Sequence, residues 1–258
     1  ECWLSDKDRF AYEGLNSEDR LTKPMIKQDG KWKETDWQTA LEYVAHGLRN
    51  IKHEHGADAI AALATPNSTL EELTLLQKLV RGIGSDNVDF RLRQSDFALD
   101  GKVIPWLGMS VADIDHLQRV FVIGSFLRKD HPLLSARLRQ TVKSGAKLNI
   151  LHACDDDLLM PVANKMIKAP SSWLCALNEI IVVIAKTKNI EMPVGLEDVQ
   201  ATSEAQQIAL SLMSGESRAV FIGNAAAQHP QASQLHAAAE WIAKNTDAKF
   251  GYLTEAAN

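Results

Sequence analysis

The chain has 258 residues, 28 Lys and Arg against 33 Asp and Glu, a formal net charge of −5 and 45% hydrophobic residues. This supplies a packed core for one large or two small domains and excludes a disordered chain, while the acidic balance argues against nucleic-acid binding, which needs a cationic face to displace counterions from phosphates. No apolar run approaches the roughly 20 residues of a membrane span, since the longest, Ile180 to Ala185, soon meets Lys186 and Lys188, so no direct membrane insertion is expected.

In chain order, the first 35 residues read as an irregular stretch that ends in a short hairpin turning at Asp29-Gly30. Asp36 is placed to cap a helix on which Trp37, Ala40, Leu41, Val44, Leu48 and Ile51 form an apolar stripe, ending before Gly56. Ala57 to Ala64 reads as a short strand buried on both faces. Ser68 with Glu71 forms a capping box for a second helix that stops at Gly82 and Gly84, and Asn87 to Phe90 reads as a short strand. Arg91 to Val111 has no clean period and reads as loop with brief helical pieces; Arg81, Arg91 and Arg93 are taken as a solvated face.

Val120 to Ile123 is a buried strand running straight into the turn Gly124-Ser125. A helix opened by His131-Pro132 and ended by Gly145 leads to the strand Leu148 to Leu151, which makes a βαβ unit with parallel strands. Apolar helices follow over 171–188 and over 203–213, the second capped by Thr202 or Ser203. Ala219 to Ile222 with Gly223-Asn224 and His229-Pro230 echoes the earlier strand, Gly turn and His-Pro; a duplicated unit and a generic α/β device both remain open. A helix over 229–244 closes the pattern. The chain opens on Glu1 rather than Met, shows no signal peptide and ends at Asn258 without a capping element, so the expectation is a fragment of a longer protein.

The residues offer little catalytic chemistry. Gly124-Ser125 ends a strand before a helix, where backbone N–H groups can meet a phosphate, but neither it nor Gly223-Asn224 belongs to a dinucleotide or phosphate-loop fingerprint. Asp155-Asp156-Asp157 follows a strand and could hold magnesium or a ribose, although consecutive residues in an extended chain point apart, which favours a solvated loop. His53-Glu54-His55 has the wrong spacing for a helical metal pair, and His131 and His229 suit capping or packing. Cys2, Cys154 and Cys175 are odd in number and far apart, which excludes a disulfide framework or a metal site built from them alone and fits a reducing cytoplasm. Core anchoring accounts for Trp3, Trp32, Trp37, Trp106, Trp173 and Trp241. No catalytic residue and no metal ligand is assigned.

One longer string is more specific. Glu1 to Leu15, Arg20 to Ile26 and Trp37 to Leu41, continued by Val122 to Ser125, His131-Pro132, Arg137 to Arg139 and Gly145 to Lys147, resembles the molybdopterin-oxidoreductase superfamily just after its iron–sulfur segment. The opening is most similar to the large iron–sulfur subunits of the respiratory NADH:quinone oxidoreductases, complex I. The resemblance implies Rossmann-like parallel-sheet α/β domains of the formate dehydrogenase and DMSO reductase type. It implies iron–sulfur clusters upstream of this sequence and no cofactor in the sequence itself, with partners among the other complex I subunits on the cytoplasmic side of the bacterial inner membrane. Ser5 stands where some relatives carry the last cysteine of an extra cluster, which implies that this cluster is missing. A molybdenum ligand, where the superfamily keeps one, would fall around Ser95 or Asp96, and Leu151-His152-Ala153-Cys154-Asp155 replaces the Val-Asp-Pro-Arg that grips the pterin nucleotide. The superfamily pattern further implies a tail over 1–35, a discontinuous domain of 36–95 with 216–258, and an inserted domain over 96–215. The expected function is a scaffold region of such a subunit, the only weak nucleotide-turn candidates being Gly124 and Ser125; the alternative is a working molybdopterin-dependent oxidoreductase domain.

Overall fold

The computed structural model describes residues 6–65, 68–90, 96–98 and 103–253. They fall into two compact units, one within residues 4–93 and one within 94–257.

In the first unit α1 (Asp6–Ala11) and a 3-10 turn precede the hairpin of β1 (Met25–Gln28) and β2 (Lys31–Glu34). Asp29 and Gly30 both take positive φ, 49° and 78°, as the tight turn between twisted antiparallel strands demands. The helix α2 (Trp37–His55) starts where expected, with the Asp36 carboxylate accepting from the Thr39 N–H at 2.9 Å. The strand expected over 57–64 shrinks to a 3-10 turn at Ala57–Ala59 and a two-residue β3 (Ala62–Leu63); the side chains here are small, and only Ile60 is buried. β3 runs parallel to β4 (Val88–Asp89).

The capping box of α3 (Leu70–Ile83) lies one residue later than Ser68 and Glu71: Thr69 Oγ1 accepts from Glu72 N–H and Glu72 accepts from Thr69 N–H. Both pairings are written in the sequence, but the Ser68 N–H already closes a turn on the Thr65 carbonyl. Thr69→Ala is therefore expected to cost about 1 kcal/mol in urea denaturation, and Ser68→Ala much less.

The second unit is a five-stranded parallel sheet in the order β7-β6-β5-β8-β9. Its strands are β5 (Arg119–Ile123), β6 (Lys147–His152), β7 (Asn164–Ile167), β8 (Arg218–Ile222) and β9 (Lys249–Tyr252). The helices are α4 (Leu127–Asp130), α5 (Pro132–Lys143), α6 (Trp173–Lys188), α7 (Ser203–Leu212), α8 (Asn224–Ala227) and α9 (Ala232–Asn245). Alternation along β5 splits the core: Phe121 and Ile123 face α6, α7 and α9, while Val120 and Val122 face Leu138 and Val142 of α5. Both faces are covered, which is why β5 and β8 read as continuous apolar runs.

This topology corrects the expected domain division. Residues 216–258 are expected with 36–95, yet β8 pairs with β5 along its whole length and with β9 beyond it, so 216–253 complete the sheet of 96–215. Without β8 the central strand β5 would be an open edge. The described part of 1–35 likewise shares a compact unit with α2 and α3. The two echoing strands are neighbours in one sheet, and the final helix begins at Ala232 rather than 229. Of the described tryptophans only Trp173 is a fully buried anchor; Trp32, Trp37 and Trp106 are exposed.

Candidate functional site

The strand order places β6 and β7 on one side of β5 and β8 and β9 on the other, so the chain reverses direction across the sheet between β5 and β8. Parallel α/β sheets bind ligands in the crevice outside the carboxyl ends of the strands at such a switch point. Both strands end there in glycine. Gly124 takes φ +60°, its N–H donates to the Leu151 carbonyl at 2.8 Å, and its own carbonyl accepts from Ala225 N–H at 3.0 Å. A Cβ at Gly124 would stand 2.7 Å from the Trp173 ring and 2.8 Å from the Ala226 nitrogen. One at Gly223 would stand 2.3 Å from Ser125 Cβ and 2.6 Å from the Gly124 carbonyl oxygen. The two turns are thus pressed against each other.

A row of rings covers this edge. Phe126 meets His152 edge-on with centroids 4.5 Å apart, His152 stacks on Trp173 at 6.4 Å, and Trp173 tilts against His229 at 5.9 Å. Trp173 is held by a hydrogen bond from its indole N–H to the Lys168 carbonyl, and His229 Nδ1 accepts from Gln231 N–H. Burial holds the His152 imidazole below the usual histidine range, against the opposing pull of Asp156 and Asp130.

The other candidates do not converge here. Asp155 pairs with Lys165 at 2.6 Å, Asp157 accepts from the Leu159 N–H at 2.8 Å, and Asp156 borders a hollow of about 190 Å³ beside Arg128 and Lys129. The acidic run is a loop whose carboxylates diverge. Asp96 accepts from the N–H and hydroxyl of Ser233 in the first turn of α9 and, through its other oxygen, from Ala98 N–H; these hydrogen bonds hold its carboxyl below the usual range. It serves as a remote helix cap. Ser95, Cys2 and Ser5 lie outside the described residues, as do Arg91 and Arg93. Cys154 and Cys175 are exposed thiols, and His53, Glu54 and His55 end α2 in solvent. Among the described residues no group of three His, Cys, Asp or Glu side chains could hold a metal ion, and no helix is long and apolar enough to cross a membrane.

A cluster that the sequence did not suggest lies at the end of β9. The hydroxyl of Tyr252 and Nδ1 of His236 are 2.5 Å apart, and His236 Nε2 lies 3.5 Å from Glu240. Burial, helped by Glu240, pushes the Tyr252 phenol up to about 12, and burial lowers His236 despite Glu240. An i, i+4 His-Glu pair on α9 was its only signal.

Parallel strands in this order, with glycine turns at the switch point and helices on both faces, define a Rossmann-type α/β protein. The chain belongs to the molybdopterin oxidoreductase family, whose model matches residues 20–253. Among its relatives are the NADPH-Fe(3+) oxidoreductase subunit alpha of Geobacter sulfurreducens, 35% identical over 227 residues (85% of this chain, 25% of that protein), and a Bacillus subtilis protein named as an oxidoreductase, 34% identical over 143 residues (53% and 14%). A Staphylococcus haemolyticus protein named as a formate dehydrogenase is 31% identical over 151 residues (56% and 15%). The chain therefore spans a quarter or less of the length of these curated relatives. The fold is shared with acetylene hydratase from Pelobacter acetylenicus (TM-score 0.59, 14% identity, 95% of this chain and 37% of that one). It is shared too with a formyltransferase/hydrolase complex from Methylorubrum extorquens (TM-score 0.56, 14% identity, 90% and 60%).

The family name raises the fit of a pterin nucleotide at this edge. Among the described residues the cradle is filled: Trp173 and Ala226 occupy the space above Gly124, the two glycine turns touch, and two hollows at this edge measure about 10 and 190 Å³, below the roughly 300 Å³ of small organic-ligand pockets. The residues at the ends of β5, β6 and β8 do not fit a bulky pterin nucleotide.

Proposed function

We propose that this chain is the molybdopterin-enzyme-like α/β region of an electron-transferring subunit in a multisubunit, NAD(P)H-linked oxidoreductase, of the kind represented by the large iron–sulfur subunit of NADH:quinone oxidoreductase. In this reading it is a scaffold with no active site of its own. Electrons pass through clusters carried elsewhere, and the residues of this region contribute packing, helix caps and surfaces for neighbouring subunits.

The observation that carries the proposal is the closed switch point, where the glycine turns and the Trp173 and His152 rings take the volume a nucleotide would need. The resemblance of residues 1–48 to the large iron–sulfur subunits of complex I favours the same class, as does the name of the Geobacter sulfurreducens relative, a subunit alpha of an NADPH-linked oxidoreductase. The formate dehydrogenase name of another relative favours the second reading, a pterin-dependent enzyme.

Metal analysis of the intact protein from its native host separates the two. The scaffold reading expects iron without stoichiometric molybdenum, tungsten or oxidised-pterin fluorescence. One metal and pterin per polypeptide would overturn it.

A further inference from the structure

His152 is 4% exposed and Ser125 6%, yet the Ser125 hydroxyl and both ring nitrogens of His152 have no hydrogen-bond partner among the described residues. Buried polar groups are kept in folded proteins when something small supplies the missing bonds. Both side chains line one cavity of about 10 Å³, closed by Val122, Leu127 and Ile150, with Asp156 at its wall. That volume admits one water-sized centre and no organic ligand.

We propose that this cavity is a one-water site, in which a single water bridges the Ser125 hydroxyl and a His152 ring nitrogen and ties the β5 turn to the last residue of β6, where the loop over 153–158 starts, and that protonation of His152 releases the tie. Neutral imidazole offers one N–H and one lone pair, and the hydroxyl rotates to suit, so one water can satisfy both residues. An imidazolium has two donors and no acceptor, and puts a charge against Phe126, Trp173 and Ile150.

The charged groups around the ring come from three elements. Asp156 on the loop and Asp130 at the end of α4 favour the cation; Arg128 and Lys129 of α4 line the neighbouring hollow with Asp156, Cys154 shares the cavity wall, and His229 lies beyond Trp173. Burial outweighs the two carboxylates, so the folded chain binds the proton more weakly than the unfolded one. The tie is then whole above the ordinary histidine range and is lost as pH falls from that range through the lowered folded value. None of this depends on the scaffold reading.

The test is a long-range 1H–15N spectrum of the histidine rings in the intact chain between pH 7.5 and 5, with water-to-ring cross-relaxation. Backbone hydrogen exchange at residues 153–158, corrected for intrinsic rates, is followed in parallel. In the wild type a bound-water contact to the His152 ring is expected at pH 7.5, and protection of the loop falls about tenfold for each unit by which the proton is bound more weakly. Ser125→Ala removes the water contact while the sheet stays folded, and His152→Phe makes loop protection independent of pH. A ring with no water contact, a His152 that titrates in the ordinary range, or a Ser125→Ala chain that keeps the contact unchanged would each overturn the proposal, also where His152→Phe does not fold.

Discussion

Gly223→Ala is expected to destabilise the second unit by about 3 kcal/mol or more, at the upper end of overpacking effects. The φ of Gly223 is an ordinary −90°, so backbone strain is not the cause. The added methyl would stand 2.3 Å from Ser125 Cβ and 2.6 Å from the Gly124 carbonyl, and neither atom is the end of a flexible side chain. Relief requires moving the β5 turn, whose Gly124 N–H and carbonyl are tied to Leu151 and Ala225. Denaturant midpoints give the measurement, and Gly47→Ala gives the contrast. Gly47 lies inside α2 with nothing within 4 Å of a built Cβ, so there alanine is expected to stabilise by about 0.5–1 kcal/mol through helix propensity. Equal and small effects at both glycines would mean that the turns at the switch point are not closely packed.

The same contact explains what could be read from the chain and what could not. β5, β6 and β8 are legible because burial on both faces writes runs such as Val120 to Ile123 and Ala219 to Ile222, each ended by glycine. β7 and β9 escape notice because they are edge strands. Met166 is the single fully buried residue of β7 and Gly251 of β9, so neither sequence shows a run or a clean alternation. The domain division is hidden for a related reason: apolar content marks a strand as central without naming its neighbour, and only pairing with β5 assigns β8 to this sheet. At the site, the Gly124 turn announces itself locally. The burial of His152 does not, since Phe126 and Trp173, distant in sequence, bring the walls to it.

Trp173→Ala is expected to cost about 3–5 kcal/mol, the range for emptying a large buried aromatic site. Trp173 is 1% exposed, begins α6, stacks between His152 and His229 and donates its indole N–H to the Lys168 carbonyl. Its neighbours on α6, including Ala176, Leu177 and Ile180, are fixed in the core, so the helix cannot slide to refill the space. The resulting cavity is lined by rings and small side chains, and apolar cavities of this kind take up flat aromatic molecules. Added indole is therefore expected to raise the melting temperature of Trp173→Ala and leave that of the wild type unchanged. A Trp173→Phe chain should fall between the two, keeping the stack and losing the hydrogen bond. The comparison bears directly on the closed switch point, because it asks whether one side chain holds the volume that a ligand would otherwise need. A Trp173→Ala chain of wild-type stability would mean that the ring is a dispensable cover, and the crevice beneath Gly124 would then be open to a nucleotide after all.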